Sequence, residues 1–221
     1  MGSKLDELDT ENQGPLTQPS LILCEGRSDA AFFFRLTRER KLNGFQVGWV
    51  GGKTQFGSYL NGLRTRIKPG FQRVIIVRDC DENPQEAFDD IVAQIKIAKN
   101  HPYPIPVAPK TVATTGTPHI SVLLLPDSNQ KGTLETLLVL SIRDRHPDLY
   151  KCMLAYADCT GTTNWDIGKY SKMQLHSMIA AACPKNPGCS LTIIWADRDN
   201  PICLDHECFR PICDYLGQFA R

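Results

Sequence analysis

The chain has 221 residues, of which 25 are Lys or Arg and 24 are Asp or Glu, so its formal charge is +1 at neutral pH. This balance excludes a uniformly basic protein that grips nucleic acid over its whole surface. Because 42% of the residues are hydrophobic, the chain can bury a sizeable core, which excludes wholesale disorder.

The sequence contains no candidate for a membrane segment. No stretch approaches the roughly 18 uncharged apolar residues that a membrane span requires, and residues 1–18 lack the apolar part of a signal peptide. We therefore expect a cytoplasmic protein that makes no contact with a membrane.

The nine cysteines favour reduced thiols over a disulfide framework, because their number is odd and no two form a C-x-x-C pair. Cys203, His206, Cys208 and Cys213 are close enough in sequence to suggest zinc, which takes four nitrogen or sulfur ligands. Their spacing matches no standard zinc site. Buried or incidental thiols are the interpretation that we favour, and zinc binding is left open.

The predicted elements alternate between strands and helices after a polar segment, residues 1–18, that predicts an unstructured tail. Ser28 is a candidate cap for the first helix, and the Pro- and Thr-rich residues 101–118 predict a long loop. The predicted strands are 21–24, 45–50, 73–77 and 120–125, with a short candidate at 191–195. The predicted helices are 29–40, 55–67, 84–99, 132–141, 148–158, 169–182 and 208–219.

This alternation predicts an α/β fold with a central, mainly parallel sheet that is flanked by helices. Strands and helices alternate up to about residue 145, and helices dominate afterwards. We therefore expect an α/β core over residues 19–145 and a mainly helical C-terminal extension over residues 146–221, packed on the core.

Acidic residues follow the predicted strands. Glu25 and Asp29 follow the first, Asp79 and Asp81 the third, and Glu135 begins the helix after the fourth. Open α/β sheets bind ligands at the carboxyl ends of their strands, so these side chains are expected to converge. Two carboxylates about 4 Å apart repel by about 4 kcal/mol at an effective dielectric constant of about 20, so a convergent group needs a cation. Oxygen ligands select magnesium, manganese or calcium over zinc.

Two of these positions admit closer argument. Asp79 and Asp81 flank a single residue, and on an extended chain both would point to the same side. Asp29 is explained equally well as an acidic residue at a helix N-terminus, where negative charge is favourable in any case.

Two segments carry the pattern of a known catalytic domain. Glu25-Gly26-x-x-Asp29 follows the first predicted strand, and Asp79-x-Asp81 follows the third. Here the sequence resembles the Toprim domain, the magnesium-dependent catalytic unit of topoisomerases, primases and OLD-type nucleases. The closer resemblance is to small bacterial Toprim-like proteins of uncharacterised function that are related to OLD nucleases and often encoded beside an ATPase.

Further motifs follow in the same order as in those proteins, so the resemblance covers about residues 20–220. They are Gly51-Gly52-Lys53, Pro126-Asp127, Gly132-Thr133-Leu134-Glu135 and Ser171-Lys172.

The resemblance implies a Toprim-like Rossmannoid fold and phosphodiester hydrolysis of DNA or RNA with Mg²⁺ or Mn²⁺ as cofactor. It implies that Glu25, Asp79 and Asp81 are catalytic metal ligands, that Asp29 and Glu135 add to the metal ligands, and that Lys172 stabilises a phosphate. It further implies an effector subunit of a phage-defence or repair system with an ABC- or AAA-type ATPase partner, and it is compatible with a homo-oligomer.

Two other readings use the same residues. A Toprim-like chain without activity could serve as a regulatory or interaction subunit, which the near-zero net charge supports. A P-loop NTPase is suggested by Gly51-Gly52-Lys53-Thr54 before a helix. That motif needs a glycine where Val47 stands, and Gly48 leaves the loop one residue short.

Overall fold

A four-stranded, all-parallel sheet forms the centre of a Rossmann-like α/β fold in the computed structural model, which describes residues 8–9, 12–98, 103–197 and 199–220. Its strands are β1 (Ser20–Cys24), β2 (Phe45–Trp49), β3 (Arg73–Asp79) and β4 (His119–Leu125). They lie in the order β2-β1-β3-β4, so the direction of strand succession reverses between β1 and β3. Such a reversal is where open α/β sheets bind their ligands.

Helices flank the sheet, as the sequence predicts, and continue to the C-terminus. They are α1 (Arg27–Glu39), α2 (Phe56–Leu63), α3 (Pro84–Ile97), α4 (Leu134–Arg145), α5 (Pro147–Thr160), α6 (Ile167–Ala182) and α7 (Arg210–Gly217). Short 3-10 turns lie at Arg64–Arg66, Thr162–Asn164, Ile194–Ala196 and Glu207–Phe209. None of the helices in the described parts of the chain is long and apolar enough to cross a membrane.

The strand predicted at 191–195 is wrong. The N–H groups of Ile193 and Ile194 both donate to the carbonyl of Ser190 at 2.9 Å, so the backbone hydrogen bonds here are local and the chain turns. The apolar residues that suggest a strand pack instead into the core, where Leu191 and Ile194 are buried.

The two faces of the sheet are covered by different helices, because alternate residues of a strand point to opposite sides. In β3, Ile75 and Val77 pack in one buried cluster with residues of α1, α4, α6 and α7. Val74 and Ile76 pack in a second cluster with residues of α2 and α3. The residue after Val77 on the first face is Asp79, which the alternation directs towards α1 and α4.

The N-terminal segment is not the unstructured tail that its composition predicts, at least over 8–9 and 12–18; residues 1–7 and 10–11 lie outside the described parts. Leu8 and Leu16 are each only 1% exposed. The side chain of Asn12 accepts the Trp49 N–H at 2.9 Å, and Gln46 donates to the Pro15 carbonyl at 3.2 Å. Two buried leucines and these contacts hold the segment along β2, which the polar composition hides.

An irregular segment lies along β4 on the opposite side of the sheet. The Lys110 N–H donates to the Val122 carbonyl at 2.7 Å, and Ala113 and Ile120 exchange two backbone hydrogen bonds. The long loop predicted for 101–118 therefore contributes backbone contacts to the sheet, although residues 101 and 102 are not described.

Candidate metal centre

Asp79 ends β3 and faces the start of α4. Its Oδ1 accepts the N–H of Leu134, the first residue of that helix, at 2.9 Å. The N-terminus of a helix carries partial positive charge, which favours a carboxylate there. The contact also fixes the position of the next residue, Glu135, beside Asp79.

Asp29 lies in the first turn of α1, where its Oδ2 accepts the Gly26 N–H at 3.0 Å. Gly26 is the cap residue of the helix, so the expectation that Ser28 caps it is wrong. The carboxyl group of Asp29, three residues further along the chain, accepts the N–H of this cap residue, as in a capping box. Asp29 therefore stabilises the start of α1 and also lies at the carboxyl ends of the strands.

Asp29, Asp79 and Glu135 form an inner group of carboxylates that repel one another. Burial, followed by the charges of Asp29 and Glu135, raises the pKa of Asp79 well above its usual range. Burial raises the pKa of Asp29 to about 7; the hydrogen bond from Gly26 opposes this shift, and repulsion from Glu135 and Glu25 adds to it. Two buried aspartates whose pKa values are raised by burial and by neighbouring carboxylates are a recognised mark of a functional site.

Glu135 leaves a polar atom without a partner inside the protein. Its side chain is 7% exposed, and its Oε2 is buried with no hydrogen bond. An unpaired carboxylate oxygen in the interior is unfavourable unless a cation or donor binds it. This atom is the observation that most directly indicates a ligand in the inner group.

Lys172 lies on the exposed side of α6 and extends its positive charge to the inner group, where it lowers the pKa of Asp29 against the larger effect of burial. A hydrogen bond of 3.0 Å between Thr136 and Ser171 holds α6 against α4 next to it. Lys172 therefore lies near enough to Asp29 for its charge to act on that carboxyl group.

Glu25 and Asp81 are held by Arg78, a residue that the sequence analysis missed. Arg78 Nη1 is 2.8 Å from Glu25 Oε2, and Nη2 is 3.2 Å from Asp81 Oδ2. The Arg78 side chain is only 4% exposed, whereas those of Glu25 and Asp81 are 30% and 47% exposed. A charged residue within the apolar run of β3 is the one sequence signal that could have revealed it.

Asp79 and Asp81 make different contacts, contrary to the expectation that an extended chain directs them to one side. Asp81 has φ = 49°, in the left-handed region, so the backbone is no longer extended there. It exchanges backbone hydrogen bonds of 2.9 Å with Gly132 in both directions. Its side chain lies near the start of α6, where a Cβ on Gly168 would be 3.8 Å from Asp81 Oδ1.

The alternation of side chains explains why the carboxylates divide into two sets. Leu23 pairs with Ile76 in the register of β1 and β3, so Glu25 and Arg78 lie at equivalent positions two residues further on. Both follow the alternation of Leu23 and Ile76, whereas Asp79 follows that of Ile75 and Val77. The inner group and Arg78 thus originate on opposite faces of the sheet, but the charge of Glu25 still acts on Asp29 and Asp79.

The donor chemistry of the inner group fits a hard divalent ion. Among the residues that the structure describes, no group of three or more His, Cys, Asp or Glu side chains is arranged so that it could hold a metal ion. Asp29 and Asp79 each use one carboxylate oxygen for a backbone N–H, which leaves the other to bind a cation. Together with the unpaired Oε2 of Glu135, these are the oxygen donors that Mg²⁺ and Mn²⁺ prefer.

The Gly51-Gly52-Lys53 turn lies against the site. The N–H groups of Gly51 and Gly52 donate to the carbonyl of Glu25 at 3.0 and 3.1 Å. Both glycines have positive φ, 90° and 144°, which other residues rarely adopt. The turn therefore positions Glu25 through its backbone, and the Lys53 side chain is exposed.

His206 uses both ring nitrogens in the group that suggests zinc. Nδ1 accepts the Cys208 N–H at 3.2 Å, and Nε2 lies 3.0 Å from Asp144 Oδ2. The Cys208 thiol donates to the Leu137 carbonyl, and burial raises its pKa to about 12. A thiol that resists ionisation and an imidazole with no vacant nitrogen favour a structural interpretation of this group.

Comparison with known proteins gives one match. The family described as "Protein of unknown function (DUF3226)" matches residues 19–219 of the chain. No curated protein and no solved structure matches it. The matched range contains the inner group, Arg78 with its two partners Glu25 and Asp81, and Lys172.

Proposed function

The chain belongs to the DUF3226 family, and we propose that it is a divalent-metal-dependent nuclease that hydrolyses phosphodiester bonds of DNA or RNA. The observation that carries this proposal is the inner group itself. Asp29, Asp79 and Glu135 lie at the point of strand reversal, the pKa values of Asp29 and Asp79 are raised by burial and by the charge of Glu135, and Glu135 Oε2 is unpaired. The Toprim resemblance of the same residues supplies the reaction class.

In this proposal Asp29, Asp79 and Glu135 bind Mg²⁺ or Mn²⁺. The ion, when bound, supplies a Lewis acid that polarises the phosphate and lowers the pKa of a water nucleophile. The N–H groups of Gly26 and Leu134 each bind one oxygen of a carboxylate, which leaves the second oxygen of Asp29 and of Asp79 for the ion. Lys172 neutralises a phosphate oxygen of the substrate, since its charge already reaches the inner group.

A partner subunit belongs to the proposal. The 25 Lys and Arg residues are balanced by 24 Asp and Glu, so the chain has no overall positive charge for phosphate contacts, and tight binding of nucleic acid by the chain alone is not expected. We propose that the protein acts in the cytoplasm as the effector of a phage-defence or repair system, with an ATPase subunit that delivers the substrate.

The test is a cleavage assay with plasmid DNA and RNA in Mg²⁺ or Mn²⁺, with and without candidate ATPase partners. Asp79→Asn and Glu135→Gln should each reduce cleavage by more than about 10-fold, which is the effect of losing even an outer-shell partner of a metal ligand. Asp90→Asn, an exposed position on α3, is the matched control and should cleave normally. Equal cleavage by wild type and Asp79→Asn would refute the assignment.

A regulatory subunit without activity is the second candidate. It is favoured by Arg78, which already neutralises Glu25 and Asp81 without any metal. This candidate predicts that the melting temperature is indifferent to millimolar Mg²⁺ or Mn²⁺ and that no partner restores cleavage. The nuclease proposal requires that millimolar Mg²⁺ or Mn²⁺ raises the melting temperature.

A further inference from the structure

The guanidinium group of Arg78 occupies the space between two carboxylates that the sequence pattern assigns to a metal. It contacts Glu25 at 2.8 Å and Asp81 at 3.2 Å, and it is almost completely buried. A buried charge is tolerated when it is paired and hydrogen-bonded, and arginine keeps its charge in proteins. The group is therefore a permanent cation within the cluster.

Displacing this cation is unfavourable. Arg78 belongs to β3, which is hydrogen-bonded to strands on both sides, so its backbone cannot move away from the site. A divalent ion that bound Glu25 and Asp81 would have to break both contacts of Arg78 or lie next to its positive charge. The inner group contains no such competitor, because Lys172 is exposed on α6 and acts on it only through its charge.

The charges balance for a single metal ion. The three carboxylates of the inner group, when ionised, are neutralised by one divalent ion together with Lys172. Glu25 and Asp81 are left with Arg78, and their partial exposure lets water screen the remaining negative charge.

We propose that Arg78 takes the place of a second metal ion, so that the site binds one divalent cation, in the inner group. This inference rests on the proposed function and specifies its cofactor stoichiometry. Two-metal nucleases place a second ion about 3.5 to 4 Å from the first to neutralise charge at the scissile phosphate. Here a fixed guanidinium supplies that second positive charge.

The experiment counts bound Mn²⁺ by calorimetry and by electron paramagnetic resonance, at a pH above 7 where Asp29 is ionised. Wild type should bind one Mn²⁺ per chain and give the spectrum of an isolated ion. Arg78→Gln should bind two and show the coupled spectrum of neighbouring ions, whereas Arg78→Lys should keep one. Two ions in wild type, or one in Arg78→Gln, would overturn the inference.

A second pair of variants tests the same stoichiometry if Arg78→Gln does not fold. Glu25→Gln, which removes one carboxylate partner of Arg78 and weakens the repulsion on Asp29 and Asp79, should still bind one Mn²⁺, and Asp79→Asn should bind none. Loss of the ion in Glu25→Gln would overturn the inference.

Failure of this inference is distinguishable from failure of the proposed function. A wild type that binds two ions and cleaves nucleic acid supports the nuclease proposal and refutes the proposed role of Arg78. A wild type that binds one ion and cleaves nothing, alone or with partners, retains the stoichiometry and refutes the nuclease. A wild type that binds no ion refutes both.

Discussion

The carboxyl group of Asp79 is placed where its ionisation opposes folding. Burial and the neighbouring charges of Asp29 and Glu135 all favour its protonated form, and only the Leu134 N–H favours the carboxylate. Such a residue is unfavourable for stability and useful for binding a cation, which is the trade-off expected at a functional site.

Replacing Asp79 by Asn should therefore raise the melting temperature of the metal-free protein. The amide oxygen can still accept the Leu134 N–H, while the repulsion within the inner group disappears. A gain of about 1 kcal/mol corresponds to roughly 2 to 4 °C for a chain of this size. Thermal unfolding in EDTA measures the change in melting temperature, with Asp90→Asn as the control. A lower melting temperature for Asp79→Asn than for wild type would contradict repulsion within the inner group.

The pKa of Asp29 makes stability depend on pH. It rises from the ordinary 3.8 to about 7 on folding, so between these values the folded state holds a proton that the unfolded state has lost. The stability contribution of Asp29 is therefore fully present below about pH 4 and is lost as the pH rises through about 7, with a slope of up to about 1.4 kcal/mol per pH unit. Urea unfolding of the metal-free protein at several pH values should show this decline.

Asp29→Asn should flatten that pH dependence, because the amide does not titrate, and the variant should be more stable than wild type at pH 8. An unchanged slope between pH 4 and 7 in Asp29→Asn would show that another group titrates there. Asp90→Asn again provides the control for loss of one surface carboxylate.

The sequence predicts the acidic residues of the site and misses their counter-ion. Glu25, Asp29, Asp79, Asp81 and Glu135 are recognisable because each stands next to a strand end or at a helix start. How they divide between the inner group and Arg78 depends on φ at Asp81 and on the register of β1 with β3. Neither is encoded in a local pattern.

At the scale of elements, the loop between β4 and α4 controls the site through Gly132. This residue has φ = 135°, and its N–H and carbonyl both bond to Asp81. A Cβ there would lie 2.7 Å from Thr136 Oγ1 and 3.1 Å from Pro126. One glycine thus holds Asp81 and the start of α4 in their relative positions.

Gly132→Ala should destabilise the protein by roughly 1 to 3 kcal/mol, the range for a residue forced into a disfavoured backbone region. It should also weaken Mn²⁺ binding, because the N-terminus of α4 carries Glu135 and the Leu134 N–H. Gly188→Ala is the matched control, since nothing lies within 4 Å of a Cβ added there. Denaturant unfolding that gives equal stability for the two variants would contradict the role of Gly132.

Prediction from sequence succeeds for the elements with strong periodicity. It fails where contacts between distant parts of the sequence determine the local structure. The β-branched run of β3 and the amphipathic α1 are confirmed within two residues of their predicted ends. The segment 191–195 has the composition of a strand, but no neighbouring strand pairs with it and its hydrogen bonds are local. The order of residues 12–18 depends on contacts with Trp49 and Gln46 across 37 and 29 residues of sequence.

At the scale of the whole molecule, a metal that binds only the folded state should raise its melting temperature. At a concentration one hundred times Kd, the gain is about 2.7 kcal/mol, or roughly 5 to 10 °C. Thermal unfolding in Mn²⁺ and in EDTA measures the difference. In Asp79→Asn the shift should shrink or vanish, and a wild-type curve unaffected by Mn²⁺ would contradict the metal centre.

The contacts of residues 12–17 with β2 have a consequence for how the chain behaves in solution. A parallel sheet ends in two outermost strands whose unpaired N–H and C=O groups invite sheet extension by another molecule. The segment at 108–113 occupies backbone groups of β4, and at β2 Asn12 occupies the Trp49 N–H while Pro15 and Thr17 bind the side chain of Gln46 and hold the segment over the strand. A chain shortened to begin at residue 19, where the family match begins, should retain the metal centre but self-associate with rising concentration, which light scattering would detect.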